Sequence, residues 1–246
     1  SDDAVGALTP KQVKKLDPEA VAGLSKSQVS ELTPKTLKVL DSEQMRVLPA
    51  SAVEAFTAEQ ISKLSDDAVG ALTPKQVKKL DPAAVAGLTK SQVSELTPET
   101  LKGLGSDQIK LLPKRSFEAL GTTQLAELSK DAVTGLTRGQ LQTLSSAEIT
   151  AFKPGKIKLL DADAISGLKP STLDDFSRPQ ARAMTNEQLA GLSSKQIKRA
   201  VDFVDALSKQ LRGVLTSDVG RSNRLADPLS DETELLTLFP GTDPLA

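Results

Sequence analysis

The stretch Leu8-Thr9-Pro10-Lys11-Gln12-Val13-Lys14-Lys15-Leu16 decides how the rest of the chain is read. Its closing leucine recurs every eight residues, at Leu24, Leu32, Leu40 and Leu48, then through Phe56, Leu64 and Leu72 to Phe152, Leu160, Leu168, Phe176, Met184 and Leu192. A second apolar column runs three residues ahead of the first: Val5, Val13, Val21, Val29, Leu37, Met45, Val53, Ile61 and onward to Ile197. Self-similarity at a fixed period marks a repeat array.

Each octad carries the signals of a helix start. With Thr9 as N-cap, Pro10 takes the first helical position, where its missing N–H does no harm and its fixed φ suits the helix. Gln12 stands third, placed to accept from the Thr9 N–H while the Thr9 hydroxyl accepts from the Gln12 N–H, a capping box. Leu8 and Val13 flank the cap as a hydrophobic staple. The same reading fits Thr57 with Gln60 and Ile61, Thr73 with Gln76 and Val77, and Ser193 with Gln196 and Ile197.

Two rival architectures fail. One continuous helix would turn about 800° per octad, so its apolar stripe would drift by about 80° each repeat. Prolines at the second octad position (Pro10, Pro18, Pro34, Pro74, Pro82, Pro98, Pro154, Pro170) would each break such a helix at about 3 kcal/mol. A β-solenoid needs alternation at two, whereas the columns alternate five and three with Ala, Lys, Ser and Gln between. What remains is a string of helices of about six or seven residues, each ending near its column leucine. One octad buries two aliphatic side chains at roughly 2 kcal/mol each, against about 10 kcal/mol to order eight residues. Neighbours must therefore stack, and the fold expected is an all-α solenoid or superhelix.

Longer periods are superimposed. Gln holds the fourth position of alternate octads, from Gln12, Gln28 and Gln44 to Gln140, with Ala20, Thr36, Ala52 and their successors to Ala132 between. The alternation predicts a sixteen-residue layer of two unlike helices, with Gly23, Gly87, Gly135 and Gly167 closing the C-terminal turns. Twelve layers stacked at helix-packing distance would make a rod roughly 100–120 Å long. The Gln series is too uniform to encode a ligand sequence and reads as structural capping. Residues 1–34 and 65–98 are identical except for Glu19 against Ala83 and Ser25 against Thr89. Such duplication changes length without changing chemistry.

The organisation expected is thus a repeat solenoid over 1–200, a capping helix over 201–216, and an acidic, partly helical tail over 217–246. Ile197, Val201, Val204, Leu207, Leu211 and Val214 give the capping helix one apolar face. Ser1 already falls in phase with the repeat, so the chain reads as a segment cut at a repeat boundary. The tail reads equally as a recognition or export signal and as a plain terminus.

Composition narrows the chemistry. The chain has 31 basic and 32 acidic residues, of which four and eight follow residue 200, so the repeats carry +3 and the tail −4. Neither is the electrostatic footprint of a nucleic-acid or anionic-membrane partner. There is no Cys, His, Trp or Tyr, which excludes disulfides, thiolate chemistry, and histidine ligation or acid–base work. No stretch reaches the roughly 20 apolar residues of a membrane span. Asp2-Asp3, Asp66-Asp67, Asp161 with Asp163, and Asp174-Asp175 are the acidic pairs. Calcium needs about six oxygens or more, and Asp at helix starts serves the cap and dipole. Lys14-Lys15 and Lys78-Lys79 fall late in their helices, where cations suit the C-terminal dipole. The glycines are scattered singly, without a phosphate loop. No catalytic, cofactor-binding or metal residue is expected, and no enzyme activity.

The pattern L-[ST]-x-x-Q-[VI]-x-x-L stands complete at Leu88-Thr89-Lys90-Ser91-Gln92-Val93-Ser94-Glu95-Leu96. It resembles the LTxxQVxAL arrays of large bacterial exported proteins of adhesin-like, haemagglutinin-like and toxin-like kinds. The resemblance covers residues 1–200, implies a bacterial surface or secreted origin, and carries over no functional residue. The function expected is a non-enzymatic, monomeric spacer or display scaffold, with a protein partner along its groove or through the tail. The alternative is a protein- or peptide-binding solenoid of a secreted effector.

Overall fold

The computed structural model describes residues 1–198, with side chains as far as Gln196. The expected capping helix and acidic tail lie outside the described residues. Within them the chain forms 24 α-helices and one 3-10 helix, and no strand. The protein is an all-helical repeat solenoid.

The octad grammar shows how each helix is made and stopped. In Pro74–Lys79 six residues are helical and two are extended: the N-cap Thr73 (φ −85°, ψ 158°) and the column residue Leu80 (φ −58°, ψ 134°). The Leu80 N–H closes back on the Gln76 and Val77 carbonyls, each at 3.1 Å, tightening the last turn. Other octads leave the helix earlier, as in Pro34–Leu37 and Arg138–Leu141, each of four residues. The α-helices thus run from four to six residues, at or below the expected six or seven, because the column leucine itself turns the corner. Pro49 holds the cap position of the octad that forms only the 3-10 turn Val53–Ala55, whereas Pro113 at the same position is the N-cap of the α-helix Lys114–Phe117. From the fourth octad on both columns are buried, Val85 and Leu88 for instance exposing 0% and 3% of their surface, whereas Val5, Leu8, Leu16 and Leu24 are half-buried.

The described chain falls into two compact units, Ser1–Leu136 and Thr137–Ala246, the second described to residue 198. Within each, a helix packs on the third helix along. In the first unit Asp66–Gly70 lies between Ser42–Val47 and Lys90–Glu95. In the second, Ala162–Ser166 lies between Arg138–Leu141 and Asn186–Ala190. One turn is thus three octads, and the expected layer of two octads is corrected.

The Gln alternation has another meaning. Three is odd, so a period of two octads sets each Gln helix against a non-Gln helix in the next turn. Where the alternation fails, the rule survives. Gln180, Gln188 and Gln196 occupy three consecutive octads, and their helices pack on those carrying Lys156, Ala164 and Thr172.

The glycines also need correcting. Gly135 (φ −89°) and Gly167 (φ −75°) have ordinary right-handed backbones, so no left-handed C-terminal turn selects them. Close approach does. A Cβ on Gly87 would stand 2.0 Å from the Ala58 carbonyl oxygen, and one on Gly135 2.1 Å from that of Ser106.

Two outcomes follow. Gly135→Ala should destabilise by about 1–3 kcal/mol through overpacking. Gly139→Ala, inside Arg138–Leu141 with nothing within 4 Å, should stabilise by about 0.5 kcal/mol; thermal unfolding of the two variants reads both signs. Removing residues 65–80 keeps Gln opposite non-Gln at the junction, whereas removing residues 65–72 sets Gln76 over Gln44 and Gln92 over Gln60. Calorimetry should therefore find the two-octad deletion the more stable of the pair, although it removes more chain.

Candidate functional site

The buried polar side chains of the array are mostly the fourth-position glutamines, and the structure places each between two turns. Gln76 shows the arrangement. Its Oε1 accepts from the Thr73 N–H at 2.7 Å and the Thr73 hydroxyl at 2.9 Å, completing the expected capping box. Its Nε2 donates to the carbonyls of Met45 and Leu48, both at 2.7 Å, in the preceding turn. Gln44, Gln92, Gln108, Gln124, Gln180 and Gln188 likewise donate to carbonyls 31 and 28 residues earlier. Gln60 reaches the Leu32 carbonyl alone, and Gln196 those of Ser166 and Leu168.

The acceptors are helix-end carbonyls: the one 31 residues back also accepts the turn-closing N–H of the column residue, as Met45 O does from Leu48 at 3.3 Å, and the other belongs to the column residue itself. Thr100 and Ser116 serve the same end, their hydroxyls donating to Leu72 O (2.9 Å) and Leu88 O (2.6 Å). With Oε1 and Nε2 both engaged in the protein, these glutamines have little left for a ligand. The capping box was legible in the sequence; the inter-turn bond was not. Its signal lay in Gln180, Gln188 and Gln196, where a three-octad offset from Lys156, Ala164 and Thr172 replaces the alternation.

The acidic pairs stay at the surface as separate features. Asp2-Asp3 and Asp66-Asp67 lie exposed in helix first turns. Asp161 caps its helix by accepting from the Asp163 and Ala164 N–H groups, and Asp163 meets Arg138 at 3.4 Å. Asp174-Asp175 ends Pro170–Asp174, so the helix-start role expected of acidic pairs does not apply there. Among the described residues no three His, Cys, Asp or Glu side chains come together as a metal site. Lys78 and Lys79 occupy the last turn of Pro74–Lys79, as expected.

Exposed ion pairs follow the turn. Glu54 meets Lys26 at 3.3 Å and Lys79 at 3.0 Å, from the turns on either side. The Lys79 hydrogen bond, then that of Lys26, holds the Glu54 carboxyl below its ordinary range. Lys102 donates to Glu99 and Glu127, which raise its pKa in that order. Such exposed pairs contribute little to stability.

Two clefts recur at matching positions of the repeat. One, of about 460 Å³, is lined by Lys78, Lys102, Gly103, Ser106 and Asp131 among others. The other, of about 400 Å³, has Gln142, Ser166, Gly167, Pro170 and Lys195 at the same positions eight octads further on. The shape recurs but the charges do not, so the two do not repeat one ligand site. No helix among the described residues is long and apolar enough to cross a membrane. No family model matches the chain, and no curated protein matches it significantly.

Gln92→Ala should cost about 2–3 kcal/mol by urea denaturation, because the Leu64 carbonyl loses its side-chain donor and that of Ile61 keeps only the Leu64 N–H; a helix cap alone is worth about 1 kcal/mol. For pH, Glu54 is held low, so its contribution is present above the unfolded carboxylate value and lost as pH falls through the folded one. Lys102 is raised, so its contribution is present below the unfolded lysine value and lost as pH rises through the folded one. With no histidine, the unfolding midpoint should stay level between about pH 6 and 9; a clear step in that window would contradict this assignment.

Proposed function

We propose that the chain is a non-enzymatic structural module, an octapeptide-repeat scaffold that spaces or displays a partner in a bacterial surface or secreted protein. The carrying observation is that the glutamines, the most regular polar side chains of the array, are engaged in joining turn to turn. The near-perfect copy of residues 1–34 at 65–98 points the same way: the array has grown by repeating exposed and buried positions alike. A site would be copied with its chemistry, yet the two recurring clefts differ in charge. The bacterial surface or secreted setting rests on the resemblance of the octad to LTxxQVxAL arrays.

A second reading, a solenoid that grips a protein or peptide, draws on the same clefts, which offer space at regular intervals. The two are separable by experiment. The full chain is set between a surface anchor and an epitope tag on a bacterial cell, and octads are removed in pairs. A spacer predicts antibody access to the tag that falls stepwise with length and ignores Lys78→Glu with Lys102→Glu. Access that ignores length while those substitutions abolish capture of a partner would replace the spacer with the binding solenoid.

A further inference from the structure

Charges that nearly cancel along the chain are sorted once the turns stack. Three octads per turn put every third octad in one row, and in the first three turns the rows differ in sign. The second row stacks Pro10–Val13, Pro34–Leu37 and Ala58–Lys63. Its octads carry Lys11, Lys14, Lys15, Lys35, Lys38 and Lys63 against Glu59 alone. The third row stacks Pro18–Ala22, Ser42–Val47 and Asp66–Gly70. Its octads carry Asp17, Glu19, Asp41, Glu43, Asp66 and Asp67 against Arg46 alone. Six against one in each case leaves +5 on one row and −5 on its neighbour. All twelve majority side chains are exposed.

The first row pairs its charges within the chain, and the other two do not. Lys26, Glu54 and Lys79 form one ladder across the turns of that row, and Glu99, Lys102 and Glu127 another. Among the described residues none of the twelve charges of the second and third rows has an ion-pair partner. Like charges therefore stack turn on turn, where they repel. Nothing in the octad requires this. Beyond residue 72 the same two rows mix their signs, as Asp107 with Lys110 and Arg115 with Glu118 show. Nor does exposure depend on place in the array. Lys75, Lys78 and Lys79, the copies of Lys11, Lys14 and Lys15, are exposed although their helix packs on turns to both sides.

We propose that these two rows are complementary docking faces and that the occupant of each is a second copy of this chain, the basic row of one copy lying along the acidic row of the next. An unrelated acidic partner would use the second row and leave the third with an uncompensated field. A second copy satisfies both, because the rows are equal and opposite in charge and each is three turns long. Single exposed pairs are weak, so the contact rests on many acting together and is sensitive to salt. It is also head to tail. Each copy offers its basic row to one neighbour and its acidic row to another, so association continues past the dimer. Side-by-side copies replace the monomer expected from the sequence. The inference goes beyond the spacer reading and does not depend on it.

Analytical ultracentrifugation of the full chain tests this. At about 0.02 M salt the average mass should climb with concentration past about twice that of the monomer, and by about 0.5 M salt it should return to the monomer. Lys11→Glu with Lys35→Glu removes most of the net charge of the basic row, and Glu19→Lys with Glu43→Lys most of that of the acidic row. Each double variant alone should sediment as a monomer at low salt. Mixed in equal amounts, the two should form a heterodimer and nothing larger, because one keeps the acidic row and the other the basic row. That recovery also shows that both variants are folded. A parent chain that stays monomeric at low salt would overturn the proposal. If that monomer bound polyglutamate through Lys11 and Lys35, the occupant would be an acidic partner instead. Association that both double variants retain would overturn it equally.

Discussion

A helix of four to six residues leaves more backbone groups unpaired than it pairs, and the rest of this structure answers that constraint. The first four N–H groups and last four carbonyls of any helix lack intrahelical partners, so at this length the ends are nearly the whole element. At the N-terminal end the octad supplies a local remedy, with Thr73 and Gln76 exchanging side chain for backbone. At the C-terminal end the local remedy is partial, the Leu48 N–H closing back on the Gln44 and Met45 carbonyls, and Gln76 from the next turn adds a donor to Met45 O and to Leu48 O. One residue type thus joins secondary structure to tertiary structure.

From this the higher periods follow. The glutamine must reach past its own helix into the turn before, and in each unit it packs over a helix that carries none. A three-octad turn meets that condition with simple alternation, and the consecutive Gln180, Gln188 and Gln196 meet it without alternation. Close stacking makes its own demand at Gly87 and Gly135, where a neighbouring carbonyl occupies the space of a Cβ. The aliphatic columns supply burial; the glutamines and glycines set how the turns meet.

How far the sequence could be read divides along the same line. Within one octad the apolar columns, the cap at Thr9, the box at Gln12 and the break at each leucine were legible; the helix length was not, since Pro10–Val13 ends before Lys14 and Lys15. Contacts between turns were not, because an eight-residue period is compatible with two, three or more octads per turn. The alternation of Gln with Ala suggested two, since a layer of unlike helices is the simplest cause of a doubled period. Identical sequences also behave differently with context, as the two lengths of the PKQVKK helix show. Functional residues were hardest to read, because the most regular polar position serves the backbone.

Every inter-turn contact described above depends on turns that stack at three octads and not at two. The chain has no cysteine, so spin labels can be placed in pairs without a background. Lys78 and Lys102, three octads apart, line one cleft, whereas Ser94 lies two octads from Lys78 at an equivalent exposed position. Pulsed electron resonance on chains labelled at 78 with 102, and at 78 with 94, measures the two separations directly. Three-octad turns predict the shorter distance for 78 and 102; a shorter distance for 78 and 94 would contradict them and restore the two-octad layer.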